Sequence, residues 1–452
     1  MSQEVKAKAS GKILGRKELF ALGIGQVIGA GVVTVLGSAI AVSGTSAWLA
    51  YGVAIVVGFV TILPFVFLSS VAGLRGGMYS LVGGLAGKTW AGIYLMCYIP
   101  NAFSLSLFGV ALGQYTKSLL PFLNERMVGV LLTTLFFIIN LMGIKGMAKA
   151  QKIMTWLLIG TLLMFIVFGM FQLQSSPFDW SSPDFLLGGG TGFLEAVILL
   201  VYSTTSYYMV INFGGAAKRP KKDIPLVMLV TPLILFVVYC GAGIVATCVL
   251  PIAEVAGQPL TFVAKQVLPA PLFILFIVGG VMMALTSTLN SQFGAFGRIY
   301  SQGCKDGWFP GVLAKQNKND QASVLLTLSW IIAIVPIITG FNVKDITNNI
   351  VLLTYISGLI PMFAVLTLPK KYPDQWKKSR LHIPDGLFYA LMIFSIIVKL
   401  AVTYLSASAL TTTALVVSLV AIALCFGYGF FRAKSPSVRM DISAFDFSDD
   451  ME

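Results

Sequence analysis

Long apolar stretches separated by short polar, basic segments dominate the chain from residue 19 to 431. Twelve such stretches are read: 19–42, 46–68, 90–116, 127–144, 152–173, 193–214, 226–250, 271–300, 323–340, 345–368, 386–406 and 409–431. Each is about the length that an α-helix needs to cross a hydrocarbon core of roughly 30 Å. Two of them are irregular. The first carries Gly23, Gly25, Gly29 and Gly31 within one helical run. Such a helix is weak where lipid offers no replacement hydrogen bonds, and open backbone at membrane depth is tolerated only beside protein or a watery cavity. Two readings stand for it: a break that exposes backbone groups to a ligand, or close helix packing through the Gly25–Gly29 pair. The sixth stretch contains Tyr202, Ser203, Thr204, Thr205, Ser206, Tyr207 and Tyr208 in succession. These hydroxyls either bond back to their own helix or coat a polar cavity, as intramembrane polar clusters tend to do.

Composition fixes the class. Hydrophobic residues are 57% of the chain and charged residues 11%, and no soluble fold of this size hides so much apolar surface. Lys and Arg set the orientation. The loops facing away from the N-terminus carry only Lys117, Arg126, Lys265 and Lys344, and Lys399 falls inside a span. The remainder of the 31 lie on the N-terminal side, so both termini are expected in the cytoplasm and the protein in the plasma (inner) membrane. The net charge of +13 is this bias and calls for no nucleic acid. The five cysteines show no metal or disulfide spacing. No nucleophile–base pair, metal-ligand cluster or phosphate loop points to an enzyme, and no cofactor is called for.

The expected organisation is a cytoplasmic segment 1–18, a core 19–368, two peripheral helices in 369–431 and a tail 432–452 whose acidic end, from Asp441, reads as disordered. Within the core, 19–173 and 193–368 hold five spans each. An odd number inverts the second unit relative to the first, the arrangement of many secondary transporters. The fold class is therefore an all-α polytopic membrane protein with a five-plus-five inverted repeat, discontinuous in its first and sixth helices. Residues 74–88 and 301–323 read as amphipathic or re-entrant connections.

Five motifs resemble the amino acid–polyamine–organocation (APC) superfamily of permeases. They are Gly25 to Val32 in span one, Arg75 to Ser80 after span two, Asn140 to Gln151 between spans four and five, Lys218 to Pro225 after span six, and Leu289 to Ser291 with Arg298 and Asp306 to Pro310 around span eight. The resemblance implies amino acid transport by alternating access. It also implies site residues. Ala30 and Gly31 match the amides that receive a substrate carboxylate, in keeping with the anion affinity of a helix N-terminus. Carbonyls of Val27, Ile28 and Tyr202 or Ser203 match the ammonium acceptors, and Tyr202 an aromatic gate. Asn101 matches a side-chain-binding amide; its other reading is an interhelical hydrogen bond. Ser206, Gln292 and Tyr355 fall at pocket-lining positions. Ser287 and Thr288, with Thr286, are candidate sodium ligands or ordinary back-bonding hydroxyls.

The chain departs from the family pattern in span five, where Leu158 stands in place of a proton-coupling lysine. Coupling by exchange, sodium or another proton route stays open, and the oligomeric state is unassigned. Apart from Lys152, Arg298 and Asp345 at span ends, Glu195 and Lys399 are the charged residues in the spans, and Lys399 is expected to snorkel or pair locally. A cationic side chain finds no carboxylate in such a pocket. The expected substrate is therefore a neutral or zwitterionic amino acid; the alternatives are a cationic amino acid or polyamine, or a channel or sensor on the same scaffold.

Overall fold

A computed structural model describes residues 13–29, 31–313, 315–319, 321–341, 343–408, 410–440 and 445–447. The chain is almost entirely helical, and among these residues eight helical segments are individually long and apolar enough to cross a membrane. The other apolar stretches fall on interrupted or slightly shorter helices.

The first stretch is interrupted where the glycines predict it. Helix α1 (Arg16–Val27) ends as Ile28 leaves helical space at φ −79°, ψ 85°. The chain resumes as a π-turn over Gly31–Val35 and continues as α2 (Leu36–Ser43). Glycine lowers the cost of leaving the helix because it has little helical preference to lose. Helix α3 (Ala47–Ser69) follows, then a two-residue strand β1 (Gly73–Leu74) and a buried helix α4 (Gly77–Ala86). This is the re-entrant connection expected over 74–88.

Helix α5 (Lys88–Asn101) and α6 (Ser104–Leu119) form the third stretch with a turn between them. Pro100 lacks the N–H that would bond Met96 O, and the Cys425 thiol donates to that carbonyl instead, at 3.5 Å. Helices α7 (Glu125–Leu141) and α8 (Ile144–Met170) are joined through Gly143. Its φ of 95° strains any residue with a Cβ.

The sixth stretch also changes character where the hydroxyl run begins. Helix α9 (Gly189–Val201) gives way to 3₁₀ turns over Tyr202–Thr204 and Ser206–Ala216. The chain continues as α10 (Pro220–Leu235), a π-turn, and α11 (Gly241–Cys248). Two short helices, α12 (Ile252–Val255) and α13 (Leu260–Val267), lead to α14 (Ala270–Leu275), a π-turn over Phe276–Met282 and α15 (Met283–Lys305). Then come α16 (Ser323–Thr339), α17 (Val343–Val365), two short helices α18 (Leu368–Lys371) and α19 (Pro373–Lys377), and finally α20 (Asp385–Ser408) and α21 (Thr412–Ala433).

Helix α15 is the most buried long element, packed against α1, α6, α7 and α8. Its amide Asn290 donates to Met147 O at 3.1 Å and Gln151 Oε1 at 2.8 Å, and accepts from Asn140 at 3.0 Å. Gln151 donates in turn to Ala21 O at 3.3 Å, beside Thr155, which donates to the same carbonyl at 2.9 Å. One chain of amides thus fixes α15 and α1 to the α7–α8 pair. Helix α21 packs on α5, and α20 on α3 and α17. Leu131, Leu135, Trp156, Val167, Ile393, Phe394 and Val416 leave an apolar belt uncovered on α7, α8, α20 and α21, as helices facing lipid do.

The tail corrects an expectation. Its acidic composition reads as disorder, yet Phe445–Asp446 forms strand β2, antiparallel to β1, with Gly73 opposite Asp446 and Leu74 opposite Phe445. The unpaired backbone of β1 offers an edge that a strand can extend. The Phe447 ring lies 4.9 Å from Tyr372, and Lys221 Nζ donates to Phe447 O at 3.3 Å. On the same face the N-terminal segment is stitched to the end of the sixth stretch. Leu14 bridges Ala217 in parallel, and the buried Asp223 carboxylate holds Arg16 at 2.9 Å and Arg219 at 3.3 Å.

Candidate functional site

The two interruptions lie side by side. A Cβ on Gly31 would collide with Ser203 Cβ, so the chain can approach this closely only with glycine there. Tyr239 of the π-turn Phe236–Cys240 joins the two segments. Its hydroxyl hydrogen-bonds both Val27 O, at 3.0 Å, and Ser203 O, at 3.3 Å. The Tyr51 hydroxyl reaches Gly31 O at 3.4 Å, and its ring lies 4.9 Å from Tyr239.

Beside the interruptions is a cavity of about 70 Å³. Asn101, Tyr202, Ser206, Gln292 and Tyr355 all line it, so five residues expected from the sequence come together. Gln26, Ser104, Thr205, Tyr208, Thr354 and Lys399 add to its polar lining. The aromatic pair Tyr202–Tyr355 has ring centres 6.4 Å apart. Thr354 donates to Asn101 Oδ1 at 3.0 Å, and Ser104 to Gln292 Oε1 at 3.2 Å. With both amide oxygens engaged, the NH₂ groups of Asn101 and Gln292 are left to the cavity.

Val27, Ile28, Gly31 and Ser203 are not among the lining residues; Gly31 and Ser203 form the contact between the two segments. Ser203 Oγ donates to Leu200 O at 2.7 Å, within its own helix. Ala30 lies outside the described residues. Ser287 and Thr288 donate to Gly25 O at 3.1 and 2.9 Å and to Ala284 O at 3.0 Å each. Thr286 bonds only back along its own helix, to Met282 O at 2.8 Å and Met283 O at 3.3 Å.

Of the polar lining residues, Gln26, Ser104, Thr354 and Lys399 escape the sequence reading as site residues. Gln26 is 4% exposed, and its Oε1 has no hydrogen-bond partner. A buried acceptor left unpaired costs free energy unless a ligand or water answers it. Its signal in the sequence was the one amide within the glycine-rich run. Lys399 corrects an expectation. Among the described residues it forms no ion pair, and it does not snorkel; its Nζ stands 4.1 Å from the centre of the Tyr355 ring, and its side chain lines the cavity. A larger cleft of about 250 Å³ opens among Thr45, Asp179, Asp184 and Thr247. It is formed by connecting loops and helix ends and touches neither interruption.

A polytopic helical membrane protein with two helices interrupted around a small polar cavity belongs to the class of membrane transport proteins, which move solutes and are not enzymes. The amino acid permease family model matches residues 14–431, and the chain belongs to that family, within the APC superfamily. The chain is 24% identical to the methylthioribose transporter of Bacillus subtilis over 83% of this chain and 85% of that protein. It is also 24% identical to the branched-chain amino acid permease BcaP of the same organism, over 85% of this chain and 87% of that protein. The serine/threonine exchanger SteT of Bacillus subtilis is 25% identical over 62% of this chain and 66% of that protein.

Proposed function

We infer that this permease is a secondary active transporter of amino acids that works by alternating access. The observation that carries the reading is the polar cavity lined by Gln26 and Tyr202, one from each interrupted segment. The substrate carboxylate goes to the amides opening the second half of the first stretch, Ala30 and Gly31, where backbone N–H groups attract anions. The ammonium goes to Gln26 Oε1, an acceptor without a partner among the described residues, and Ile28 O is a second candidate acceptor. Val27 O and Ser203 O already accept from Tyr239, which makes them secondary candidates. Asn101, Ser206, Gln292 and Tyr355 surround the substrate side chain, and Tyr202 gates it.

This reading takes the twelve apolar stretches as twelve crossings. The first ten form the inverted repeat, and both termini lie on the cytoplasmic side of the plasma membrane. Among the described residues the side-chain subsite contains no carboxylate, which disfavours cationic amino acids and polyamines. Neutral and acidic side chains are both compatible with such a subsite, and the names of the branched-chain permease and the serine/threonine exchanger are those of transporters of neutral ones. A water needs roughly 10–15 Å³ of such space, so the cavity suits a small amino acid. A coupling sodium ion, if one is used, would bind at the oxygens of Gly25, Ala284, Ser287 and Thr288.

Counterflow tests the function. Liposomes containing the purified protein and loaded with unlabelled amino acid should accumulate the labelled form, with sodium and pH varied between parallel samples. Downhill flux without exchange or concentration would favour a channel, and binding without flux a sensor. Absence of both flux and ligand-induced thermal stabilisation across amino acids, amines and methylthioribose would remove the transport reading. Within the site, Asn101→Ala should change the order of preference among amino acids by about tenfold, the worth of one hydrogen bond. The common α-amino and α-carboxyl contacts should persist. An unaltered competition profile would show that Asn101 serves only to hold Thr354.

A further inference from the structure

We propose that Lys399 makes this cavity selective for amino acids whose side chain carries a negative charge. The proposal rests on the transport reading and names the substrate class of the same site.

Lys399 lies fourteen residues into α20 (Asp385–Ser408), about 21 Å along the helix at 1.5 Å per residue. That depth is well inside a hydrocarbon core of roughly 30 Å. The nearer end of the helix, at Ser408, is nine residues away, about 14 Å and beyond the reach of a lysine side chain. Snorkelling is therefore denied to it. The side chain instead crosses to α17. Its Cε comes within 3.9 Å of where a Cβ on Gly358 would lie, and its Nζ sits over the Tyr355 ring.

Among the described residues no acid pairs with Lys399. Among the described residues the cavity lining carries no Asp or Glu, and Lys399 is its single charged residue. A ring face attracts a cation but does not neutralise it. None of the other described lining residues carries a charge. Asn101 Oδ1 and Gln292 Oε1 accept from Thr354 and Ser104.

A bound neutral zwitterion leaves this cation uncompensated. Its carboxylate is committed to the first interrupted stretch and its ammonium to Gln26. A second carboxylate, on the substrate side chain, is the group that can meet Lys399 and bring the enclosed charges to balance, since buried charges are stable when paired. The Tyr355 ring then acts as the resting partner of Lys399 when the cavity holds no anion. The NH₂ groups of Asn101 and Gln292 add donors for the same carboxylate.

The test uses the full-length protein, with L-glutamate and L-aspartate compared against L-glutamine and L-asparagine in thermal-shift titrations and in uptake competition. The native protein should favour each acid over its amide by about tenfold or more, the range of a charge-assisted hydrogen bond. Lys399→Gln should collapse that ratio to near one, and Lys399→Arg should keep it above one. The ratio is the readout, so a general loss of activity in a variant does not decide the matter. A native protein that binds the amides as well as the acids, or that prefers them, would overturn the proposal while leaving amino acid transport standing. The same acid preference in native protein and Lys399→Gln would also overturn it. If no amino acid of any charge binds or moves, the transport reading fails, and this proposal with it.

Discussion

Gly31→Val should abolish transport. The new side chain has no room, since even a Cβ at this position runs into Ser203 Cβ and comes within 3.2 Å of Ser203 Cα. Overpacking of this kind costs about 1–3 kcal/mol. Here the cost falls where the two interrupted segments meet and where the carboxylate is received. The expected loss in uptake is about a hundredfold or more, because each 1.4 kcal/mol of lost stabilisation is about a factor of ten. Gly429→Val is the packing control. Its Cβ would lie 2.7 Å from Ile93 N, between α21 and α5 and away from the interruptions. That variant should lower the melting temperature, yet transport per folded molecule should stay within about threefold of the native value, as for changes outside a site. Equal transport by native protein and Gly31→Val would contradict the assignment of this contact to the mechanism.

Asn290→Leu should destabilise the protein more than other single polar replacements on α15. The leucine removes a donor from Gln151 Oε1 and Met147 O and an acceptor from Asn140. Each buried group left unpaired costs about 1–3 kcal/mol, although hydrogen bonds between membrane helices average only about 0.6 kcal/mol. Because three groups each lose one hydrogen bond together, Asn140 keeping its bond to Phe136 O, about 2 kcal/mol is expected, seen as a drop of several degrees in the detergent melting curve. Ser287 and Thr288 stand one turn earlier on the same helix and donate to Gly25 O. Any sodium dependence of transport should therefore weaken in the same variant. A melting curve and sodium response both equal to native would show that the amide chain is not what fixes α15 to α1.

The glycine-rich run and the hydroxyl run announced their own interruptions. A helix rich in glycine yields at Ile28, and the helix from Gly189 turns to 3₁₀ geometry at Tyr202. The cavity lining at Asn101, Tyr202, Ser206, Gln292 and Tyr355 was legible through kinship, because motif order carries position along the chain. Contacts between distant spans were not legible. Nothing in Phe236 to Cys240 says that Tyr239 will occupy the carbonyls of Val27 and Ser203. Gln26 could be seen as polar, but not as lacking a partner. Lys399 sits on a helix outside the proposed repeat, and only the packing of α20 against α17 brings it to Tyr355. The tail was misread because composition reports the cost of ordering a segment and is silent on the free strand edge at Gly73–Leu74 that offsets it.

The most direct test of the account is an experimental structure of the full-length protein with a bound amino acid chosen from the binding panel. The account predicts the ligand between Gln26, Asn101 and Tyr202, with its ammonium on Gln26 Oε1 and its carboxylate at the amide of Gly31. An uninterrupted first helix, or a ligand seated only in the cleft beside Asp184 with the inner cavity empty at saturating concentration, would contradict it.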